Sequence, residues 1–265
     1  MYLDGNERDI IIVTGCNAVG KTTASNYLRE LASLCNIPHE NRIVADSQCL
    51  FEAMQSDDRG SGLHHTHDWC EKDSKGHTHY LNQPLFPFTV TDNELPGIMR
   101  LQFFSQLAKL PKSGNLWFVE WAAGVNTNPR EDPAACIDYS YAKVKSMLQE
   151  GNIPDDWLSR VKAVIHLEAC YDVRLCLNAQ RSIPAFAQPE ALEQGAAFWL
   201  KDEKVLRFYG RDDFIEIEGL FRKAEIEVYT IENNGSWYFY EQLGTVANGL
   251  FSSEKVASAQ FSHSR

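Results

Sequence analysis

Eight consecutive residues near the N-terminus have the types and spacing that bind the phosphates of a nucleotide. They run Gly15-Cys16-Asn17-Ala18-Val19-Gly20-Lys21-Thr22 and match the pattern G-x-x-x-x-G-K-[ST] at every position. In this pattern the glycines let the backbone approach phosphate oxygens, the lysine neutralises the β- and γ-phosphates, and the hydroxyl binds Mg²⁺. The predicted ATP-binding residues are Gly15, Asn17, Ala18, Val19, Gly20, Lys21, Thr22 and Thr23.

Two carboxylates end apolar runs further along the chain. Asp46 ends Arg-Ile-Val-Ala-Asp, and Glu120 ends Leu-Trp-Phe-Val-Glu. Because ligands bind at the carboxyl ends of the strands in an open parallel sheet, both acids are expected to face the nucleotide. We predict that Glu120 holds Mg²⁺ with Thr22 or acts as a base, and that Asp46 accepts the proton of a substrate hydroxyl. The alternatives are a helix cap for Asp46 and a solvated strand end for Glu120.

Three polar residues in the stretch that begins at Tyr171 share one predicted helix face. Arg174, Asn178 and Arg181 are spaced four and three residues apart, which places them on the same side of a helix. Arginine suits bidentate contacts with phosphate, so Arg174 and Arg181 are predicted catalytic residues and Asn178 a substrate contact. The alternative is an exposed face whose arginines pair with nearby acids.

Five of the eight histidines lie within sixteen residues, between positions 64 and 79. A Zn²⁺ site needs three or four nitrogen or sulfur ligands in tetrahedral geometry. The candidate zinc ligands are His65, His67, Cys70, His77 and His79. Their spacing matches no zinc module, so we favour substrate contacts from this segment, and a solvated His-rich loop is the third alternative. The predicted substrate-contact residues are Asp46, His65, His67, Asn126 and Asn178.

Short apolar runs alternate with longer amphipathic stretches along the chain. The predicted strands span 10–14, 42–46, 116–120, 161–168 and 227–231, and the predicted helices span 21–34, 48–55, 94–110, 135–149, 171–181 and 237–250. This alternation predicts an α/β fold, a three-layer sandwich with a five-stranded, mainly parallel sheet. We expect one domain over 1–251, with a His-rich insertion at 56–91 and a lid region at 174–211. The Ser-rich tail 252–265 is predicted to be disordered.

The overall composition restricts the classes of partner. The 265 residues include 25 Lys plus Arg and 36 Asp plus Glu, a net charge of −11, which argues against a broad nucleic-acid-binding surface. No apolar run approaches the ~18–20 residues that a membrane span needs, and no secretory pattern begins the chain, so we expect a cytoplasmic protein without a membrane partner. The seven scattered cysteines are interpreted as reduced thiols.

On the phosphate-binding loop and the Walker B-like run ending at Glu120, the chain resembles the P-loop kinases related to nucleoside and nucleoside-monophosphate kinases, over about residues 10–251. The resemblance implies a kinase-like P-loop NTPase fold, ATP and Mg²⁺ as cofactors, and lid arginines at Arg174 and Arg181 that stabilise the transferring phosphoryl group. The chain has no N-K-x-D segment, which argues against a GTPase. It departs from the family pattern in its long first insertion and in having few lid arginines.

These features together predict an ATP- and Mg²⁺-dependent phosphotransferase. The γ-phosphoryl group would pass to a hydroxyl or phosphate of a small molecule or nucleotide. One alternative is a nucleotide-gated regulatory ATPase whose His-rich insertion binds a metal or a protein. A second is a polynucleotide 5′-end kinase, because contact with a strand terminus alone requires few basic residues.

Overall fold

A parallel sheet of five strands forms the centre of the protein. The structure is a computed structural model that describes residues 8–49, 70–72, 78–80, 95–125, 140–187 and 210–251. The strands are β1 (Ile10–Gly15), β2 (His39–Ala45), β5 (Leu116–Ala122), β6 (Val161–Glu168) and β7 (Glu227–Glu232). Their order is β2-β5-β1-β6-β7, and every neighbouring pair is parallel. The predicted α/β architecture with five strands is confirmed, and the sheet is entirely, not mainly, parallel.

Helices cover both faces of the sheet. The α-helices are α1 (Lys21–Leu34), α2 (Leu95–Lys109), α3 (Tyr141–Gln149), α4 (Tyr171–Ala187), α5 (Ile215–Lys223) and α6 (Trp237–Phe251). Side chains of α1 and α6 pack on one face of β1 with Ile11 and Val13, whereas side chains of α2, α3 and α5 pack on the other face with Ile10 and Ile12. Because both faces of β1 are buried, its sequence is a continuous apolar run and does not alternate with polar residues.

The strand order places a change of direction at the central strand. β5 lies on one side of β1 and β6 on the other, so the crossover from β5 to β6 passes β1. The register sets Val13 of β1 beside Glu120 of β5, and Thr14 beside His166 of β6. We call the edge where the strands end the carboxyl edge and the opposite edge the amino edge. Ligands of open α/β sheets bind at the carboxyl edge, at such a switch point.

A buried ion pair fastens the amino edge. Arg160, the last residue of a 3₁₀ helix (Asp156–Arg160), donates from Nε to Asp9 Oδ1 at 3.0 Å and from Nη2 to Asp9 Oδ2 at 2.5 Å. Its Nη1 donates to the carbonyl oxygen of Leu110 at 2.6 Å. The backbone of Asp9 also bonds to Arg160 and to Trp117. This pair therefore joins the starts of β1, β5 and β6 through satisfied polar groups.

Several predicted boundaries differ from the structure. The helix expected over 171–181 continues to Ala187, so the first part of the lid region is helical. The strand expected over 42–46 begins at His39, and Asp46 belongs to a helical segment over 46–49. α5 and the 3₁₀ helix were not predicted. Two short antiparallel strands, β3 (Cys70–Lys72) and β4 (Thr78–Tyr80), occur within the His-rich insertion.

The remaining predictions of organisation stay predictions. The tail 252–265 and most of 56–91 lie outside the described residues. In the part of the chain that the structure describes, no helix combines the length and apolar character needed to cross a bilayer.

Candidate phosphate-binding site

The loop between β1 and α1 has a backbone that only particular residues tolerate. Gly15 and Gly20 have φ values of 145° and 93°. A Cβ on Gly15 would lie 2.4 Å from the carbonyl oxygen of Leu167, and one on Gly20 would lie 2.6 Å from Asn233 Nδ2. Ala18 adopts a left-handed conformation with φ 61°, which costs an L-residue roughly 1–2 kcal/mol. Such a loop persists only where its surroundings hold it.

The lysine of the motif holds the loop from inside. Lys21 begins α1 and is 6% exposed, and its ammonium group donates to the carbonyl oxygens of Gly15 at 3.1 Å and Cys16 at 2.9 Å. The positive charge and the N-terminus of α1 therefore lie at one end of the loop. This combination attracts an anionic group such as a phosphate.

Two further side chains hold the loop from outside. Arg174 of α4 donates from Nε to the carbonyl oxygen of Asn17 at 2.9 Å. Asn233, which follows β7, donates from Nδ2 to the carbonyl oxygen of Val19 at 2.9 Å and accepts from the amide of Gly235 at 3.0 Å. Contacts from three separate elements thus fix four loop carbonyls, which stabilises the strained backbone.

The predicted metal ligands lie together at the carboxyl edge. Thr22 Oγ1 donates to Glu120 Oε2 at 2.9 Å. Glu120 is 8% exposed, and its other oxygen, Oε1, is inaccessible to solvent and has no hydrogen-bond partner among the described residues. A buried carboxylate oxygen without a partner is unfavourable by roughly 1–3 kcal/mol or more. Oxygen atoms of this kind are the ligands that Mg²⁺ prefers, so the pair fits a bound magnesium ion.

A second unpaired polar atom belongs to the predicted basic helix face. Arg174 is 4% exposed, and its Nη2 finds no hydrogen-bond partner in the described ranges. Asn178, one turn further along α4, is equally buried, and Leu177 lies 3.9 Å from the Cβ position of Gly20. The face therefore packs against the phosphate-binding loop and is not exposed to solvent. Arg181 lies in the same helix, outside the residues whose side chains the structure describes.

Asp46 lies at the carboxyl edge, at the start of a short helical segment over 46–49. Its Oδ2 accepts from the amide of Ala122 at 2.6 Å, and the amide of Ser47 donates to the same carboxylate. Burial raises the pKa of Asp46 to about 6, and Glu120 adds to this, whereas Lys21 and the two amides act in the opposite direction. Asp46 therefore lies beside the candidate site, and its bond to the amide of Ser47 is compatible with the capping alternative.

The other predicted site residues are outside what the structure describes or carry no described contact. His65, His67, His77 and Asn126 lie outside the described residues, and for Cys70 in β3 and His79 in β4 only the backbone is described. Thr23 lies on α1 with an exposed side chain. Within the described ranges, no group of three or more His, Cys, Asp or Glu residues could hold a metal ion. Zinc binding by the His-rich segment stays a prediction.

Sequence reasoning missed three residues that contact the loop or its neighbouring strands. Asn233 follows the last strand, so the carboxyl-edge argument applied to Asp46 could have found it. Asp212 and His166 could not be found in this way: His166 is a polar residue inside an otherwise buried strand, and Asp212 comes from a segment with no motif. His166 Nε2 and Asp212 Oδ2 are 2.8 Å apart.

Comparisons with known proteins give little beyond this geometry. No protein-family model matches the chain, and no curated protein sequence matches it. Among solved structures, the crystal structure of TT1252 from Thermus thermophilus is similar over 92% of this chain and 98% of that chain, with 16% sequence identity and a TM-score of 0.38. A likeness at this level carries no argument about function, so the site must be interpreted from its own residues.

Proposed function

We propose that the protein is an ATP- and Mg²⁺-dependent phosphotransferase with a kinase-like P-loop NTPase fold. It moves the γ-phosphoryl group of ATP to a hydroxyl or phosphate of a small molecule or nucleotide. The observation that carries the proposal is the pairing of Thr22 with Glu120 at the end of a complete phosphate-binding loop, with Glu120 Oε1 buried and unpaired beside it. A bound metal–nucleotide complex would give that buried oxygen a partner, which supports the proposal.

Nucleotide binding would use the loop and the residues that hold it. Lys21 neutralises the β- and γ-phosphates, and the loop amides with the N-terminus of α1 supply further hydrogen bonds. Thr22 and Glu120 would hold Mg²⁺, directly or through water. When bound, Mg²⁺ neutralises negative charge on the phosphates.

Catalysis would consist mainly of positioning and charge stabilisation, because phosphoryl transfer requires little covalent chemistry from the protein. The Nε atom of Arg174 already donates a hydrogen bond to the loop. Its Nη2 atom, which has no partner among the described residues, is available for a phosphate oxygen. Arg181 would assist from the same helix. Arginine suits this role because it stays charged and presents several donors in a fixed plane.

The surroundings of Asp46 favour a hydroxyl acceptor over a phosphate acceptor. A carboxyl group with a pKa of about 6 is mostly ionised at pH 7 and can accept the proton that a hydroxyl releases. A phosphate acceptor needs no such base, and two carboxylates beside it, Asp46 and Glu120, would repel it. Within the proposed reaction, Asp46 is therefore the residue that accepts the acceptor proton.

A transfer assay on a panel of acceptors tests the proposal. Purified protein is mixed with γ-labelled ATP, Mg²⁺ and separate pools of nucleosides, sugars, polyols, nucleoside monophosphates and an oligonucleotide with a free 5′-hydroxyl. We expect label to move to at least one hydroxyl-bearing pool, and a Lys21→Ala variant to lose the transfer. Label on the oligonucleotide alone would identify a 5′-end kinase.

Two other outcomes would contradict a small-molecule kinase. The first is tight ATP binding without transfer to any pool. The second is ATP hydrolysis that needs no acceptor and rises when a protein partner is added, which would favour the regulatory ATPase. Absence of nucleotide binding in calorimetry would contradict the kinase proposal and both of its alternatives, because all three require a bound nucleotide.

A further inference from the structure

A short segment after the undescribed residues 188–209 returns to the phosphate-binding loop. Arg211 pairs with Val125, which follows β5, through backbone hydrogen bonds of 2.8 and 3.2 Å. The next residue, Asp212, uses both carboxylate oxygens. Oδ1 accepts from the amide of Phe214 at 2.8 Å, and Oδ2 lies 2.8 Å from His166 Nε2 and 3.7 Å from the thiol of Cys16.

His166 is the residue that fixes this carboxylate. It lies in β6 beside Thr14 of β1, and it is 2% exposed. Its ring stacks on Phe214 with centroids 4.0 Å apart and planes 6° apart. Its Nδ1 lies 3.8 Å from Glu168 Oε1, beyond hydrogen-bond distance. The stacking fixes the plane of the ring, and within that plane Nε2 faces Asp212.

The location of Asp212 requires an explanation. A carboxylate next to a loop that binds phosphates repels the ligand, so its charge alone would weaken nucleotide binding. Both of its oxygens are already occupied by protein donors, which leaves it poorly suited to a metal. Asp212 contacts Cys16, the residue that follows the first glycine of the loop motif. The backbone of the same loop is strained at Ala18.

We propose that Asp212, oriented by His166, is a positioning residue that holds the phosphate-binding loop in its nucleotide-binding conformation through Cys16. The inference rests on the proposed nucleotide-binding function. Asp212 contacts Cys16, and Arg174 donates to the carbonyl oxygen of the next residue, Asn17. Two consecutive loop residues are thus each held by a side chain from another part of the chain.

The state of the thiol agrees with this role. Burial, with a smaller contribution from Asp212, raises the pKa of Cys16 to about 12, against the lowering effect of Arg174 and Lys21. Cys16 is therefore a protonated donor to the carboxylate. Without the carboxylate, the two nearby cations would remain and the thiol would ionise more readily.

The test is an Asp212→Asn variant, with ATP and ADP affinities measured by calorimetry. Loss of positioning weakens binding, and we expect about a tenfold increase in Kd, which corresponds to ~1.4 kcal/mol. Removal of a repelling charge without a positioning role would instead tighten binding. The two explanations thus predict opposite signs, and tighter or unchanged binding would overturn the inference.

A matched control is available at the next residue. Asp213 accepts from the amides of Tyr141 and Ala142, both at 3.1 Å, and so caps α3, which is not part of the loop. Asp213→Asn should lower the melting temperature and leave nucleotide affinity unchanged. An equal loss of affinity in both variants would assign the effect to general destabilisation and sink the proposal.

Alkylation of Cys16 gives a second readout. Because Cys16 is buried, general destabilisation also speeds its modification, so the comparison is with the Asp213→Asn control. Iodoacetamide should modify Cys16 several-fold faster in Asp212→Asn than in Asp213→Asn, with the exposed Cys170 as an internal reference. A His166→Gln variant should shift affinity and alkylation in the same direction and serves if Asp212→Asn does not fold. If the wild type binds no nucleotide, the proposed function fails. If it binds and neither variant changes affinity or alkylation, only the positioning role fails.

Discussion

The two edges of the sheet handle buried charge in opposite ways. At the amino edge, Arg160 and Asp9 form two hydrogen bonds with each other, and the guanidinium also donates to a backbone carbonyl. At the carboxyl edge, Glu120 and Arg174 are buried to a similar degree, yet each has a polar atom without a partner among the described residues. Of these two clusters, the one at the amino edge has a complete polar network, and the one at the carboxyl edge, where we propose that a ligand binds, does not. Buried atoms without a partner also occur at Ser25, Arg29 and Gln102, so an unpaired atom counts here only together with the loop beside it.

This difference separates stability from function. Native proteins satisfy nearly all buried polar groups, so an open network marks a place where a ligand, ion or water completes it. Removing a member of the closed network should reduce stability without changing the chemistry. Removing a member of the open network should reduce the rate of phosphoryl transfer without a comparable loss of stability.

The largest effect is expected at the closed network. Arg160→Met leaves the carboxylate of Asp9 buried without its cation and should lower the free energy of unfolding by about 3–5 kcal/mol. Chemical denaturation monitored by tryptophan fluorescence measures this change. The folded fraction should bind ATP with wild-type affinity, because Arg160 lies at the opposite edge from the loop.

A double substitution shows whether the unpaired charge is responsible. Asp9→Ala combined with Arg160→Met removes both charges, so it should be more stable than Arg160→Met alone. If the double variant is less stable than the single one, the lost contacts of Asp9 matter more than its buried charge.

A smaller but opposite effect is expected at the open network. Glu120→Gln keeps the shape of the side chain and an acceptor for Thr22 but removes the charge that would hold Mg²⁺. We expect kcat to fall by two to three orders of magnitude, equivalent to ~3–4 kcal/mol of transition-state stabilisation. The apparent affinity for Mg²⁺ in the transfer assay should fall as well. Loss of stability with kcat retained would show that Glu120, like Arg160, contributes to stability and not to catalysis.

The closed network shows what the sequence could not predict. Asp9 and Arg160 are 151 positions apart, and neither belongs to a motif. The strands themselves were predictable, because a sheet buried on both faces requires continuous apolar runs, and β1, β5 and β6 have them. Pairing of isolated charges depends on strand order, which no local pattern contains.

The candidate site was predictable to the extent that it follows local rules. The loop motif and the rule that ligands bind at strand ends indicated Lys21, Thr22 and Glu120, and the structure places these residues together. Helical spacing grouped Arg174 with Asn178, but only tertiary packing shows that this face contacts the loop. His166 and Asp212 come from a buried strand and a segment without a motif, so their contact depends entirely on the fold.

An intermediate case is Asp46, which is buried at the open edge but hydrogen-bonded. Its pKa is raised to about 6, so the folded protein binds the proton more tightly than the unfolded chain does. The stability that this group contributes is therefore present below about pH 4 and is lost as the pH rises through about 6, by about 3 kcal/mol. Asp46→Asn should remove this decline, as measured by denaturation between pH 4 and pH 7.

The same substitution should abolish phosphoryl transfer while ATP binding persists, because the amide cannot accept the acceptor proton. Wild-type kcat should fall below about pH 6 as the carboxyl group becomes protonated. Transfer that continues unchanged in the variant would restrict Asp46 to a structural role, and an unchanged pH dependence of stability would mean that another group causes it.

The smallest effect tests whether position or hydrogen bonding decides the outcome. Tyr141 lies close to the carboxyl edge, where its hydroxyl donates to Thr14 Oγ1 at 2.7 Å and Thr14 donates in turn to the carbonyl oxygen of Trp121 at 2.9 Å. This network is closed although it lies beneath the site. Tyr141→Phe should therefore behave like a substitution at the amino edge, losing about 1 kcal/mol of unfolding free energy with kcat unchanged. Denaturation and transfer assays on one preparation measure both quantities. A loss of kcat of tenfold or more at constant stability would show that proximity to the loop, and not an unsatisfied polar atom, marks the functional residues.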